Sequence, residues 1–146
     1  ITIENDEVSW GIDASLKLVD HVALVLDIHH HWVNSGEYIY PTDDRVKRIQ
    51  DSWRGVRPVL HYSVSKEDVL VHHIKNEKPD MNKLLESGYK KAKLRAHSDY
   101  FWNDAVNKWA WTFINDFDIM CESKAKNLAS IDFYNKMTNR KEVVNL

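Results

Sequence analysis

Val22-Ala23-Leu24-Val25-Leu26 runs without a break into Asp27-Ile28-His29-His30-His31, and this stretch decides the fold. Five consecutive small or branched apolar residues with no polar alternation predict a strand buried on both faces, and such strands belong to parallel α/β sheets. The acid and the imidazoles that follow then lie at the strand's C-terminal end. In α/β folds that edge collects ligands and catalytic groups, and an acid followed three residues later by a histidine is a compact pair of metal ligands.

Three further segments repeat the arrangement. Ile1-Thr2-Ile3 leads into Glu4-Asn5-Asp6, Arg57-Pro58-Val59-Leu60 into His61, and Phe117-Asp118-Ile119-Met120-Cys121 into Glu122. Helical patterns separate them. A short helix is expected around 13–20. Thr42 is expected to cap a second, with Val46, Ile49 and Trp53 at i, i+3 and i+7. Ala105, Val106, Trp109, Ala110 and Phe113 form another apolar stripe, and a last helix is expected around 124–136. The alternation predicts a single α/β domain over 1–146, a parallel sheet of four βα units. A closed (β/α)8 TIM barrel takes about 250 residues. Four units therefore predict half of a barrel, excerpted from a longer protein, with a complete four-stranded domain as the alternative.

Composition sets bounds. The chain is 43% hydrophobic and 29% charged, with four Gly and three Pro, as expected of a globular domain without a low-complexity linker. No apolar run approaches the length of a membrane span. Cys121, alone of its kind, excludes an intramolecular disulfide and fits a reducing, cytoplasmic compartment, and its place in a strand makes it a core residue. A net charge of −2 gives no overall basic footprint, although bound cations would offset clustered carboxylates locally.

The alternation is interrupted between His61 and His97, with an insertion at about 64–94. It carries His72-His73, expected at the surface, and an apolar pattern of Met81, Leu84, Leu85 and Tyr89. It ends in Lys90, Lys91, Lys93 and Arg95, flanked by Tyr89 and Tyr100. Basic residues among aromatics form either a solvated helix face or a contact for a phosphate backbone.

Ile3-Glu4-Asn5-Asp6, Leu26-Asp27-Ile28-His29-His30, Arg57-Pro58-Val59-Leu60-His61-Tyr62-Ser63, Arg95-Ala96-His97-Ser98-Asp99-Tyr100 and Met120-Cys121-Glu122-Ser123-Lys124-Ala125-Lys126 resemble, in order, the motifs of the UV damage endonuclease family. The resemblance implies the C-terminal half of a barrel related to endonuclease IV and xylose isomerase. It further implies divalent metals, usually manganese, at its mouth, and hydrolysis of the phosphodiester 5′ to UV photoproducts in double-stranded DNA. Transferred position by position, it implies Glu4, Asp27, His30, His61, His97 and Glu122 as metal ligands and catalytic residues. Such a site works by metal-assisted phosphoryl transfer and needs no protein nucleophile.

Two departures follow from the same resemblance. The family's lysine two residues before the third-motif histidine is Val59 here, and a valine cannot ligate. The first-half ligands and lesion-probing residues have no counterpart, so these 146 residues alone are expected to be inactive. Asn5 and Asp99 are candidates to orient imidazoles. His29 and His31 are expected beyond the strand, exposed or donating to ligands or phosphate. One of Lys124 and Lys126 is expected to face metals or DNA, and Trp102, Trp109 and Trp111 are expected in the core. Two other readings stand beside this one. The first is a sugar isomerase or epimerase on the same barrel; the second is a non-catalytic half-barrel whose free edges drive homo-oligomerisation.

Overall fold

The computed structural model describes residues 1–139. Strands β1 (Thr2–Glu4), β2 (Ala23–Asp27), β3 (Val59–Tyr62) and β4 (Asp118–Cys121) make one parallel sheet in the order β1-β2-β3-β4. The register pairs Glu4 with Val25, Asp27 with His61, and His61 with Met120. Because side chains alternate along a strand, this register divides the residues between two faces. Leu24, Leu26, Leu60 and Tyr62 point into the main core, where Ile3, Ile119 and Cys121 pack against them. Glu4, Val25, Asp27, Val59, His61 and Met120 share the other face.

The helices cover the first face. Helix α1 (Ile12–Ser15) runs into a 3-10 turn at Leu16–Leu18, followed by α2 (Ile28–Ser35) and α3 (Asp44–Asp51). Helices α4 (Met81–Glu86) and α5 (Lys91–Leu94) lie in the insertion, and α6 (Asp104–Trp111) and α7 (Asn127–Met137) flank β4. Val46, Ile49, Val106, Trp109, Ala110, Ala129 and Phe133 enter the core from these helices. Each large apolar side chain withdrawn from water contributes about 1.5–3 kcal/mol before entropy is counted. Trp109 is buried and Trp102 and Trp111 are partly so, as the sequence predicts.

Several boundaries differ from the sequence expectation. Asp43, not Thr42, caps α3, because its carboxylate accepts from the Arg45 amide at 2.8 Å, and Trp53 lies beyond that helix. The helix expected over 13–20 is shortened to α1 and its 3-10 turn, and the last helix begins only at Asn127.

The larger difference is α2. The three histidines do not form a loop: they occupy the first turn of a helix that starts at the end of β2. Asp27 accepts from the His30 amide at 2.8 Å, which caps the helix, and Gly36 ends it at φ 78°. A Cβ at Gly36 would sit 2.9 Å from the Met81 Cβ, so the left-handed cap and the close approach of α4 both require glycine. Leu70, Met81, Leu84 and Leu94 of the insertion pack on Trp32 and Val33, forming a second, smaller core. The insertion thus roofs α2. That is why His29, expected to be exposed or to donate to a ligand, is buried at 4%; His31, buried to the same degree, turns instead to Glu37, 2.7 Å away. Among the described residues no helix is long and apolar enough to cross a membrane.

Candidate metal centre

The second face of the sheet ends in acids and imidazoles because the β period of two brings Glu4, Asp27 and His61 to the same side at neighbouring strand ends. One ligand atom from each lies within 4.8 Å of the other two. His61 Nδ1 is 3.1 Å from Glu4 Oε1 and 3.4 Å from Glu122 Oε1. Four elements therefore meet at one imidazole, and Glu122 joins from the loop after β4.

His30 approaches from α2. Its Nδ1 lies 2.9 Å from the Asn5 carbonyl oxygen, which can only accept, so Nδ1 carries the proton. The same Nδ1 is 3.4 Å from Asp27 Oδ2 and 3.5 Å from Glu4 Oε1. Its Nε2 faces away, 3.6 Å from Glu7 Oε2. His30 would ligate through Nε2, with Asn5 setting the tautomer.

Asn5 holds the arrangement together. It is fully buried, its side chain donates to the Asp27 carbonyl at 2.9 Å, and its Oδ1 accepts from the Asp27 amide at 2.9 Å. The sequence singles out Asn5 for this positioning task. Asp99, singled out beside it, contacts no imidazole among the described residues; its carbonyl accepts from the Ala125 amide instead.

The electrostatics follow from three carboxylates crowded into partly dry surroundings. Burial, followed by the charges of Glu4 and Glu122, pushes Asp27 well above the usual carboxylate range. Burial also opposes ionisation of Glu4, but hydrogen bonding and charge from His61 outweigh it and hold Glu4 below its ordinary value. The hydrogen bond to Glu4 raises His61. Between these two carboxylates, Asp27 is therefore the one that holds a proton more readily. Its Oδ2 is buried without a hydrogen-bond partner among the described residues, and an orphaned carboxylate oxygen between two further acids fits a divalent cation. Carboxylate oxygens and imidazole nitrogens are ligands shared by Mn, Zn and Fe.

The structure brings five of the six residues implied by the resemblance into one connected cluster: Glu4, Asp27, His30, His61 and Glu122. His97 makes no ion pair with them among the described residues. It stands at the rim with its ring 6.2 Å from that of His29, and burial lowers its affinity for a proton. Val59 shares the face of His61, two residues below it. Glu7 was missed by sequence reasoning. It follows Glu4-Asn5-Asp6 in a turn where Asp6 accepts from the amides of Val8, Ser9 and Trp10, and this fold-back returns Glu7 to His30. An Asp four residues before Trp10 in a short polar segment was the available signal.

Two cations of the basic segment are engaged. Lys91 donates to the Asn34 carbonyl at 2.6 Å, and Arg95 pairs with Glu7 at 3.3 Å. His72 is exposed, as expected, whereas His73 is only partly so.

Comparison with known proteins places this geometry. The chain is 25% identical to proteins named UV DNA damage endonuclease from Bacillus cereus (strain Q1) and Bacillus anthracis, each match covering 95% of this chain and 38% of the relative. It thus spans well under half the length of those proteins. A crystal structure of SacUVDE matches 96% of this chain and 40% of that one, with a TM-score of 0.59 and 21% identity, and shares its fold. The model of the UV-endonuclease UvdE family matches residues 1–146, and the chain belongs to that family.

Proposed function

We propose that this chain supplies half the metal-bearing mouth of a (β/α)8 barrel that cuts double-stranded DNA 5′ to UV photoproducts. The observation that carries this reading is the convergence of Glu4, Asp27, His61 and Glu122, drawn from four elements, on one end of one face of a parallel sheet. Strand C-terminal ends are where barrels place their chemistry. Under this reading, Val8, Trp10, Met120, Leu128 and Ile131, exposed at the two edges of the sheet, are residues that the remaining barrel covers.

Glu4, Asp27 and His61 hold the first cation, with Glu122 beside them, and His30 Nε2, Glu7 and His97 line the adjoining side. Bound divalent cations, manganese by the family resemblance, lower the pKa of water and offset phosphate charge. The protein's own residues do the rest. Asn5 fixes the carboxylate of Asp27 and the tautomer of His30, and the buried side of the cluster excludes bulk water. Val59 leaves the cluster one ligand short of the pattern implied by the resemblance.

The test is nicking of UV-irradiated plasmid with Mn²⁺ by the intact protein that carries these residues. Lesion-dependent nicking is expected, with at least a hundredfold loss in Glu122→Gln. Equal cutting of irradiated and untreated plasmid, or full activity in Glu122→Gln, refutes the reading. The 146 residues by themselves are expected to nick little or not at all.

A further inference from the structure

Glu7 joins the metal centre from outside the set of ligands that the resemblance implies, and contacts from three places in the chain hold it there. The Asp6 carboxylate accepts from the amides of Val8, Ser9 and Trp10, which turns the chain after β1 back on itself. The Glu7 carbonyl accepts from the Asn34 side chain of α2 at 3.3 Å, and the Arg95 guanidinium donates to Glu7 Oε1 at 3.3 Å. Backbone and one carboxylate oxygen are thus fixed, and the other oxygen, Oε2, faces His30 Nε2 at 3.6 Å. The Glu7 and His30 side chains are 19% and 21% exposed, covered enough to be held and open enough to be reached by an ion.

A gap of 3.6 Å between an imidazole nitrogen and a carboxylate oxygen is too long for a hydrogen bond, whose N···O distance runs to about 3.2 Å. With Nδ1 donating to the Asn5 carbonyl, Nε2 is the nitrogen left to ligate. Two donors that share one cation at bonds of roughly 2.1 Å stand about 3.0 Å apart in octahedral and about 3.4 Å apart in tetrahedral coordination. A small rotation of the Glu7 side chain therefore turns the observed separation into that of two ligands on one ion. The His30 ring divides this position from the first. Its Nδ1 edge lies 3.4 Å from Asp27 Oδ2 and 3.5 Å from Glu4 Oε1, whereas Glu7 stands at the Nε2 edge.

We propose that Glu7 is a metal ligand, taking with His30 Nε2 a second divalent cation of the Mn or Zn class beside the one held by Glu4, Asp27 and His61, an assignment that rests on the metal-centre reading. A carboxylate oxygen and an imidazole nitrogen suit such ions. Two protein donors leave most of the coordination to water and phosphate oxygens, as is usual for divalent ions bound through few carboxylates. Glu7 adds back one oxygen donor to a cluster that Val59 leaves one short. Arg95 engages Oε1 so that Oε2 is the oxygen free to ligate, and, lying two residues before His97, it ties that rim segment to the same carboxylate.

The test loads the 146-residue chain with ¹¹³Cd²⁺, a spin-active stand-in that accepts the same oxygen and nitrogen donors, and follows cadmium and histidine ¹⁵N resonances. Two cadmium signals are expected, the second coupled to His30 Nε2. Glu7→Gln should weaken the second site at least about tenfold and leave the first signal in place, which also shows that the variant is folded. Arg95→Met, which removes the ion pair and keeps the carboxylate, should retain both signals. Coupling at His30 Nδ1, or a first signal with no cadmium on His30 Nε2, overturns the assignment in the wild type alone. A second signal unmoved by Glu7→Gln overturns it as well. So does equal loss in Glu7→Gln and Arg95→Met, because Glu7 would then act by ordering the loop and not by touching the ion. Absence of both signals at saturating cadmium refutes the metal-centre reading itself, and the role of Glu7 with it.

Discussion

Asp27→Asn should change sign between metal-free and metal-loaded protein. Asp27 is fully buried, its ionisation is opposed by burial and by two neighbouring acids, and Oδ2 has no hydrogen-bond partner among the described residues. An asparagine keeps the Oδ1 cap on the His30 amide and places an NH₂ group beside Glu4 at every pH, where the aspartic acid can donate only after taking up a proton. In chelator the variant should gain about 1–2 kcal/mol, the value of a buried hydrogen bond to a charged acceptor less the cost of holding it. With Mn²⁺ at a hundred times its dissociation constant the wild type gains about 2.7 kcal/mol, and the variant should gain almost none of it. For a chain of this size 2.7 kcal/mol corresponds to a rise in Tm of roughly 8 °C. Thermal unfolding followed by circular dichroism, with EDTA and with Mn²⁺, measures all four states. If Asp27→Asn is less stable than wild type in EDTA, the carboxylate is not strained by its neighbours. If it keeps the full Mn²⁺ stabilisation, Asp27 is not a ligand. Either result refutes the argument.

Other outcomes follow from the same physics. Burial holds His29 near a pKa of about 3 against an ordinary 6.5, so the folded state prefers its neutral form. Its contribution is complete above pH 6.5 and is lost as pH falls toward 3, on the order of 4–5 kcal/mol, which acid unfolding monitored by Trp fluorescence should show; a stability unchanged across that range would refute the buried neutral imidazole. Tyr62→Phe removes the hydroxyl that donates to Asn107 Oδ1 at 2.6 Å and leaves that buried oxygen unsatisfied, so urea unfolding should show a loss of about 1–3 kcal/mol; a change under 0.5 kcal/mol would mean water replaces the hydroxyl. The isolated chain, with Trp10, Met120, Leu128 and Ile131 exposed, should associate as concentration rises in light scattering. A well-dispersed monomer at every concentration would show that those edges need no cover.

What could be read from the sequence is what the chain encodes locally. Val22–Leu26 is apolar enough that only a strand buried on both faces accommodates it, and the acids and histidines that end the four strands stand out against apolar residues before them. The helix at His29–His31 was not legible, because a polar triplet carries no apolar stripe. Its signals were the carboxylate of Asp27 as a cap and Gly36 as a stop, both plain only when read together. The burial of His29 depends on an insertion more than thirty residues away in sequence, which no local pattern reveals. Glu7 reaches His30 only because Asp6 folds the loop back.

Glu4, Asp27 and His61 sit on the same side of the pleat, which ties cation binding to how the strands slide past one another. If β3 slipped by a single residue, Leu60 or Tyr62 would take the place of His61 and the imidazole would be driven among Leu24, Leu26 and Phe133. Such a chain could still collapse around its apolar residues, but it could not chelate. A divalent ion held by these three residues would therefore act as a proofreader of strand alignment, rewarding the one arrangement in which three separate stretches of sequence agree.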